Sequence, residues 1–208
     1  MRLFVIGASG RLGRHIVAEA VRRGHLVSGQ SRLAGRLSPD VQPMVGHADD
    51  AQFLAATLPG HDAVVSALGI DHAGPTTLFS DATRALLAAM STAAVHRLVA
   101  ITGAGNGESC GPGGWRSSRL LRSFYARPRH PDKDAQEDLI AASDLDWTII
   151  RPAPIAAGPL KGGLHAVWPV PRHMQVTAVT RSEIAEVVLD AVEQHRWRHA
   201  RPLVGHFA

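Results

Sequence analysis

The chain has 208 residues, 45% hydrophobic and 19% charged, with one cysteine, Cys110; this excludes a disordered chain and an internal disulfide, and leaves enough apolar residues for one sizeable core. The net charge of +4 is carried almost wholly by arginine, which suits an anionic small ligand better than nucleic acid, because no aromatic-interleaved RNA motif accompanies the cluster Arg116, Arg119, Arg122, Arg127 and Arg129. No apolar run approaches the ~20 residues of a membrane span, and no basic segment with an apolar signal region opens the chain, so a cytoplasmic protein is expected.

Leu3-Phe4-Val5-Ile6 is a short apolar run with β-branched and aromatic members and predicts a strand. Gly7-Ala8-Ser9-Gly10-Arg11-Leu12-Gly13 follows at once. Leu12, Ile16, Val17, Ala20 and Val21 then recur at spacings of three and four, one face of a helix that Gly24 ends. A glycine turn between a buried strand and a helix lets a pyrophosphate approach the backbone, where unpaired N–H groups and the positive end of the helix dipole meet it. The spacing is G-x-x-G-x-x-G rather than the G-x-G-x-x-G of the usual dinucleotide fingerprint, so its weight comes from its position in a βαβ unit.

The second strand is predicted over His25 to Gln30, followed by Ser31 and Arg32. An acidic residue just past this strand would bind the ribose hydroxyls of NAD, whereas an arginine accommodates the 2′-phosphate of NADP. No Asp or Glu stands between Glu19 and Asp40. Arg32 therefore favours NADP(H) over NAD(H), with Arg11 and Arg36 as further anion-binding candidates.

Met44-Val45-Gly46 predicts a short third strand. Asp49 or Asp50 then caps a helix over Ala51 to Leu58, and a carboxylate here could also bond the adenine amino group. Ala63 to Gly69 predicts a fourth strand whose end, with Ala67, Leu68 and Gly69, borders the cofactor groove. A helix is expected over Thr77 to Ala94 and a fifth strand over Leu98 to Thr102. Gly103 to Trp115 has the composition of a lid or substrate loop. Helical patterns return at Arg116 to Tyr125 and, after breaks at Pro128 and Pro131, at Asp132 to Ser143. Asp146 to Arg151 predicts a sixth strand, Arg181 to Gln194 a helix and Pro202 to Val204 a last strand. The alternation predicts an α/β doubly wound parallel sheet in one domain, residues 1–208, with about 153–180 as a substrate-side insertion. Ligands in such sheets bind at the carboxyl ends of the strands, which brings Gly7 to Gly13, Ser66 to Gly69 and Thr102 to Gly105 around one crevice. His195 and His199 stand at i,i+4 without a third ligand, so no metal site is expected.

The glycine motif, Arg32, Ser66-Ala67-Leu68-Gly69, Thr102, Lys133 and the run Leu145-Asp146-Trp147-Thr148-Ile149-Ile150-Arg151-Pro152 together resemble the atypical short-chain dehydrogenase/reductases, NmrA-like and flavin-reductase-like (biliverdin reductase B-like). The resemblance implies a Rossmann fold, NADP(H) binding and reduction of flavins, quinones or similar acceptors, although some such proteins bind the dinucleotide as sensors and catalyse nothing. It also sets Lys133 at the lysine position, beside the nicotinamide ribose. The usual Tyr-x-x-x-Lys acid is missing, because Arg129 stands four residues before Lys133 and the only tyrosine, Tyr125, lies eight before it. Hydride transfer to a conjugated ring tolerates that loss, since positioning does most of the work. Thr102 and Lys133 are the catalytic candidates, with Thr102 orienting the acceptor or donating one hydrogen bond; as an alternative, Thr102 caps its own turn. His130 and Tyr125 are weaker proton-donor candidates. The expected partner is a small-molecule acceptor, the protein a monomer or homodimer. Two functions compete: an NADP(H)-dependent oxidoreductase, and a non-catalytic NADP(H)-binding redox sensor. An epimerase or dehydratase acting on a nucleotide sugar is weaker, since it needs the same tyrosine.

Overall fold

The computed structural model describes residues 1–70, 74–103, 130–158, 163–170 and 176–207. Within them, β1 (Arg2–Ile6), β2 (Leu26–Ser31), β3 (Gln42–Val45), β4 (Ala63–Ser66), β5 (Arg97–Ile101), β6 (Asp146–Pro152) and β11 (Leu203–Phe207) form a parallel sheet in the order β3-β2-β1-β4-β5-β6-β11. Two antiparallel strands, β8 (His165–Val167) and β9 (Val176–Thr177), both pair with β11, and β7 (Ile155–Ala156) pairs separately with β10 (Val179–Thr180). The order reverses between β1 and β4, as the doubly wound reading requires.

Both faces of the sheet are covered, which is why its strands read as continuous apolar runs. Leu3 and Val5 face one layer, with Ile16, Val17 and Ala20 of α1 (Gly13–Arg22) and Ile184 and Val188 of α5 (Arg181–Glu193). Phe4 and Ile6 face the other, with Leu54 of α2 (Ala51–Thr57), Leu86 and Met90 of α3 (Leu78–Thr92) and Ile140 of α4 (His130–Ala141). Burying one such side chain contributes about 1.5–3 kcal/mol, so the alternation within β1 alone ties both layers to the strand that carries the glycine turn.

Several boundaries differ from the sequence reading. The third strand is Gln42–Val45, and Gly46 lies just past it, donating its N–H to the Ser31 carbonyl at 3.1 Å. The fourth strand stops at Ser66, although Ala67 still donates to the Ile6 carbonyl at 3.0 Å. Pro131 does not break a helix: α4 starts at His130 and takes Pro131 into its first turn, where the missing N–H costs nothing. The last strand runs on to Phe207. The expected helix over Arg116 to Tyr125, the loop from Ala104 to Trp115, Cys110 and the arginines from Arg116 to Arg129 lie outside the described residues.

Candidate dinucleotide and acceptor site

Gly7 adopts φ +73°, and a Cβ there would stand 2.8 Å from the Ala67 carbonyl oxygen, so the turn is pressed against the end of β4. A Cβ on Gly13 would meet the Gly7 carbonyl oxygen at 2.0 Å. The first residue of α1 thus packs backbone to backbone on the turn. Leu12 at the helix N-cap makes no side-chain capping bond, and the first turn carries no acidic residue. Among the described residues no hydrogen bond uses the backbone N–H of Arg11 or Leu12. A helix end with open donors beside a cradle that side chains would fill suits a diphosphate.

Around the turn, Ala8 is buried and donates its N–H to the Gln30 carbonyl at 3.1 Å. Ser9 Oγ lies 2.9 Å from Ser31 Oγ. Gln30, which sequence reasoning missed, is 3% exposed; its Oε1 accepts from the Gly7 N–H at 2.9 Å and its Nε2 donates to the Gly46 carbonyl at 2.6 Å. One amide therefore locks the turn to β2 and to the end of β3. Nothing in its strand singled it out, because Ser28 and Ser31 are polar too.

Arg32 follows β2 directly and is exposed. Arg11, Arg14, Arg32, Arg36 and Arg181 pair with no carboxylate among the described residues, whereas Arg22, Arg23, Arg97 and Arg151 all do. Arg11, Arg14, His15 and Arg181 line an opening of about 310 Å³ where the N-termini of α1 and α5 meet, joined by a 3.1 Å hydrogen bond between His15 and Ser182. A second opening of about 450 Å³ runs along α1 past Ala8, Arg14, Arg36 and Leu37, with Asp40 at its rim. Four of these five guanidinium groups thus line the two openings, Arg32 lining neither, and they give this side of the molecule a field that would attract an anion.

Asp50, not Asp49, caps α2: its Oδ1 accepts from Gln52 N at 2.9 Å and Phe53 N at 3.0 Å. Asp49 is exposed. Leu68 is half-buried and Gly69 exposed, and a Cβ on Gly69 would meet nothing within 4 Å, so the segment past β4 opens onto solvent.

At the end of β5 the backbone N–H of Thr102 donates to the Ile150 carbonyl at 3.0 Å. Among the described residues the Thr102 hydroxyl makes no bond to its own turn. It donates to Oε1 of Glu137 on α4 at 2.5 Å. Glu137 is salt-bridged to Arg151 of β6, and both are buried, 2% and 0% exposed. Glu137 went unnoticed in the sequence, although it stands four residues after Lys133, on the same helix face. Lys133 is half-buried, its Nζ 4.0 Å from the centroid of the Phe79 ring. Its neighbour Asp132 accepts from Phe79 N at 2.9 Å and Ser80 N at 3.1 Å, so α4 caps α3 from the side. Tyr125 lies outside the described residues, as does the rest of the segment from Ala104 to Arg129. Among the described residues no group of three or more His, Cys, Asp or Glu could hold a metal, and no helix is long and apolar enough to cross a membrane.

The structure has close likenesses among solved proteins. ChuY, an anaerobillin reductase from Escherichia coli O157:H7, matches with a TM-score of 0.82 over 99% of this chain and 97% of its own, at 20% identity. A short-chain dehydrogenase/reductase from Veillonella parvula DSM 2008, solved in complex with NADP, matches with a TM-score of 0.81 over 99% and 94% of the two chains, at 14% identity. In sequence, the uncharacterized protein YwnB of Bacillus subtilis (strain 168) is 30% identical over 158 residues, 74% of this chain and 72% of that one. The protein family described as NAD(P)H-binding matches residues 7–195, from the first glycine of the turn to two residues past α5. Fold and sequence agree, and the chain belongs to the NAD(P)H-binding family.

Proposed function

We propose that this protein is an NADPH-dependent reductase that passes a hydride to a flavin, a quinone or a similar conjugated acceptor. The observation that carries the reading is that a glycine turn after β1 and a hydroxyl after β5 both stand at the carboxyl ends of strands about the point where strand order reverses, with no local Tyr-x-x-x-Lys. In this reading the backbone of Gly7, Ala8, Ser9, Gly10, Arg11, Leu12 and Gly13 takes the diphosphate. Arg32 pairs with the 2′-phosphate, bidentate and charge-assisted. Asp49 borders the adenine, and Ala67, Leu68 and Gly69 line the path to the nicotinamide. Thr102 and Lys133 flank the reacting rings. The cofactor supplies the hydride when bound; the chain orients it and excludes water. A delocalising acceptor ring spreads the charge it receives, so no phenol acid is required. The likeness to ChuY adds an open-chain tetrapyrrole to the acceptors worth testing.

The test is calorimetric titration with NADPH and NADH, followed by absorbance at the reduced-nicotinamide band with FMN, a quinone and a bilin added. Tighter binding of NADPH and acceptor-dependent loss of absorbance are expected. Tight binding without turnover on any acceptor overturns the reductase and leaves an NADP(H)-binding sensor. Binding of neither nucleotide overturns the reading of the glycine turn.

A further inference from the structure

We infer that Glu137 fixes the direction of the Thr102 hydroxyl so that it faces the crevice as a hydrogen-bond acceptor, which selects an oxidant carrying a ring N–H and disfavours one that offers only carbonyl oxygens. The inference rests on the reductase reading and narrows its substrate class.

Glu137 Oε1 receives two donors, the Thr102 hydroxyl at 2.5 Å and Arg151 Nε at 3.2 Å, while Arg151 Nη2 donates to Oε2. Arg201 Nε stands 3.8 Å from Oε2 as a second cation. A carboxylate held between guanidinium groups only accepts. The Thr102 hydroxyl has one hydrogen, and that hydrogen points at Glu137. In the reductase reading, what it then offers to the crevice is lone pairs. Among the described residues the Thr102 hydroxyl has no other acceptor, and Arg151 Nη1, itself buried, is a further donor without a partner. The cluster is rich in donors, and Glu137 is the carboxylate they converge on. To donate to a substrate carbonyl, Thr102 would have to abandon a charge-assisted bond in a buried site. A quinone carbonyl would bring lone pair against lone pair. An oxidised flavin has one ring N–H, at N3, and can donate it. Glu137 touches neither cofactor nor acceptor and is a positioning residue that acts through Thr102.

The test compares lumiflavin with N3-methyl-lumiflavin, which lacks the donor, by flavin fluorescence titration of the NADP⁺-loaded protein, with menadione turnover alongside. Wild type should bind lumiflavin about tenfold or more tightly than the methylated ring, because a site that needs a donor rejects the analogue without one. Thr102→Val should remove the preference by weakening lumiflavin alone. Glu137→Gln, whose amide can donate to Thr102 and free its hydrogen, should narrow the preference to about twofold and raise kcat/KM for menadione. A merely structural Glu137 would lower all three acceptors together and leave the ratio unchanged. Equal binding of the two flavins by wild type, binding of neither, or loss of both flavins alike in Thr102→Val overturns the inference. Failure to bind NADPH is a different outcome and falls on the reductase reading instead.

Discussion

The Gly13 α-carbon is pressed so close to Gly7 that an added Cβ would lie 2.0 Å from the Gly7 carbonyl oxygen, with the Ala8 α-carbon at 2.9 Å. Both neighbours are backbone, so neither can yield without moving the turn. Gly13→Ala is expected to cost about 3 kcal/mol of stability and to abolish NADPH binding. Gly69→Ala separates the two effects. Its Cβ meets nothing within 4 Å, so the unfolding midpoint should hold within about 0.5 kcal/mol, while NADPH affinity falls about tenfold if the cofactor crosses it as proposed. Urea unfolding and calorimetry on both variants check this; a Gly13→Ala protein of wild-type stability would contradict the packing described.

In the proposed reading Arg32 carries the choice of cofactor by charge alone. It is exposed and pairs with no carboxylate among the described residues. Arg32→Ala should therefore leave stability nearly unchanged, weaken NADPH at least tenfold, and weaken NADH less than about threefold. Raised salt should narrow the wild-type difference, because an exposed ion pair is screened. Equal weakening of both nucleotides would remove Arg32 from the 2′-phosphate.

Most of the fold was legible because it rests on periodicity. Leu3 to Ile6, Ala63 to Gly69 and Leu98 to Thr102 read as strands, and the structure has strands over Arg2–Ile6, Ala63–Ser66 and Arg97–Ile101, so existence was legible and ends were not. The glycine turn between β1 and α1 was legible too, since Gly13 packs on Gly7 six residues earlier in the chain, although the contact of Gly7 with Ala67 was not. Residues that act across the chain were not. Gln30 reaches Gly46, Asp132 caps a helix more than fifty residues away, and Glu137 joins Thr102 to Arg151. Each is a polar side chain satisfied by a partner distant in sequence, and local spacing gives no sign of which partner that is. Glu137 had the one weak signal, its i,i+4 relation to Lys133.

Asp49 and Asp50 divide two roles that adjacent carboxylates left open. Asp50 bonds two N–H groups at the start of α2, and Asp49 does not. Asp50→Ala should cost about 1 kcal/mol with nucleotide affinity intact. Asp49→Ala should leave the unfolding midpoint unchanged; a fall in affinity for NADPH and NADH alike would put its carboxylate at the adenine. Thermal unfolding and titration of the pair distinguish the roles, and a stability loss in Asp49→Ala would reverse the assignment.

Glu19 makes the joint between α1 and α5 sensitive to acid. It accepts from Arg22 at 2.6 and 2.7 Å and from Arg23 at 2.7 Å, and Arg23 reaches on to Asp190 and Glu193 at 2.8 Å each. The Arg22 hydrogen bond, against an opposing cost of burial and with help from Arg23, holds the Glu19 carboxyl down at about 2, from an ordinary 4.5. Glu193 is lowered too: burial would raise it, but hydrogen bonds from His25 and Arg23 outweigh that cost. A carboxyl whose folded pKa lies below its unfolded value binds fewer protons when folded. Its contribution is therefore complete above pH 4.5 and is lost as pH falls from 4.5 toward 2. Because Glu19 and its partners reach solvent, that contribution is on the order of 1 kcal/mol. Glu19→Gln should be less stable than wild type at pH 6 and should lose less on going from pH 6 to pH 3, by urea midpoint. Parallel acid profiles for the two proteins would show that the Arg22–Glu19–Arg23 cluster does not set the acid limit.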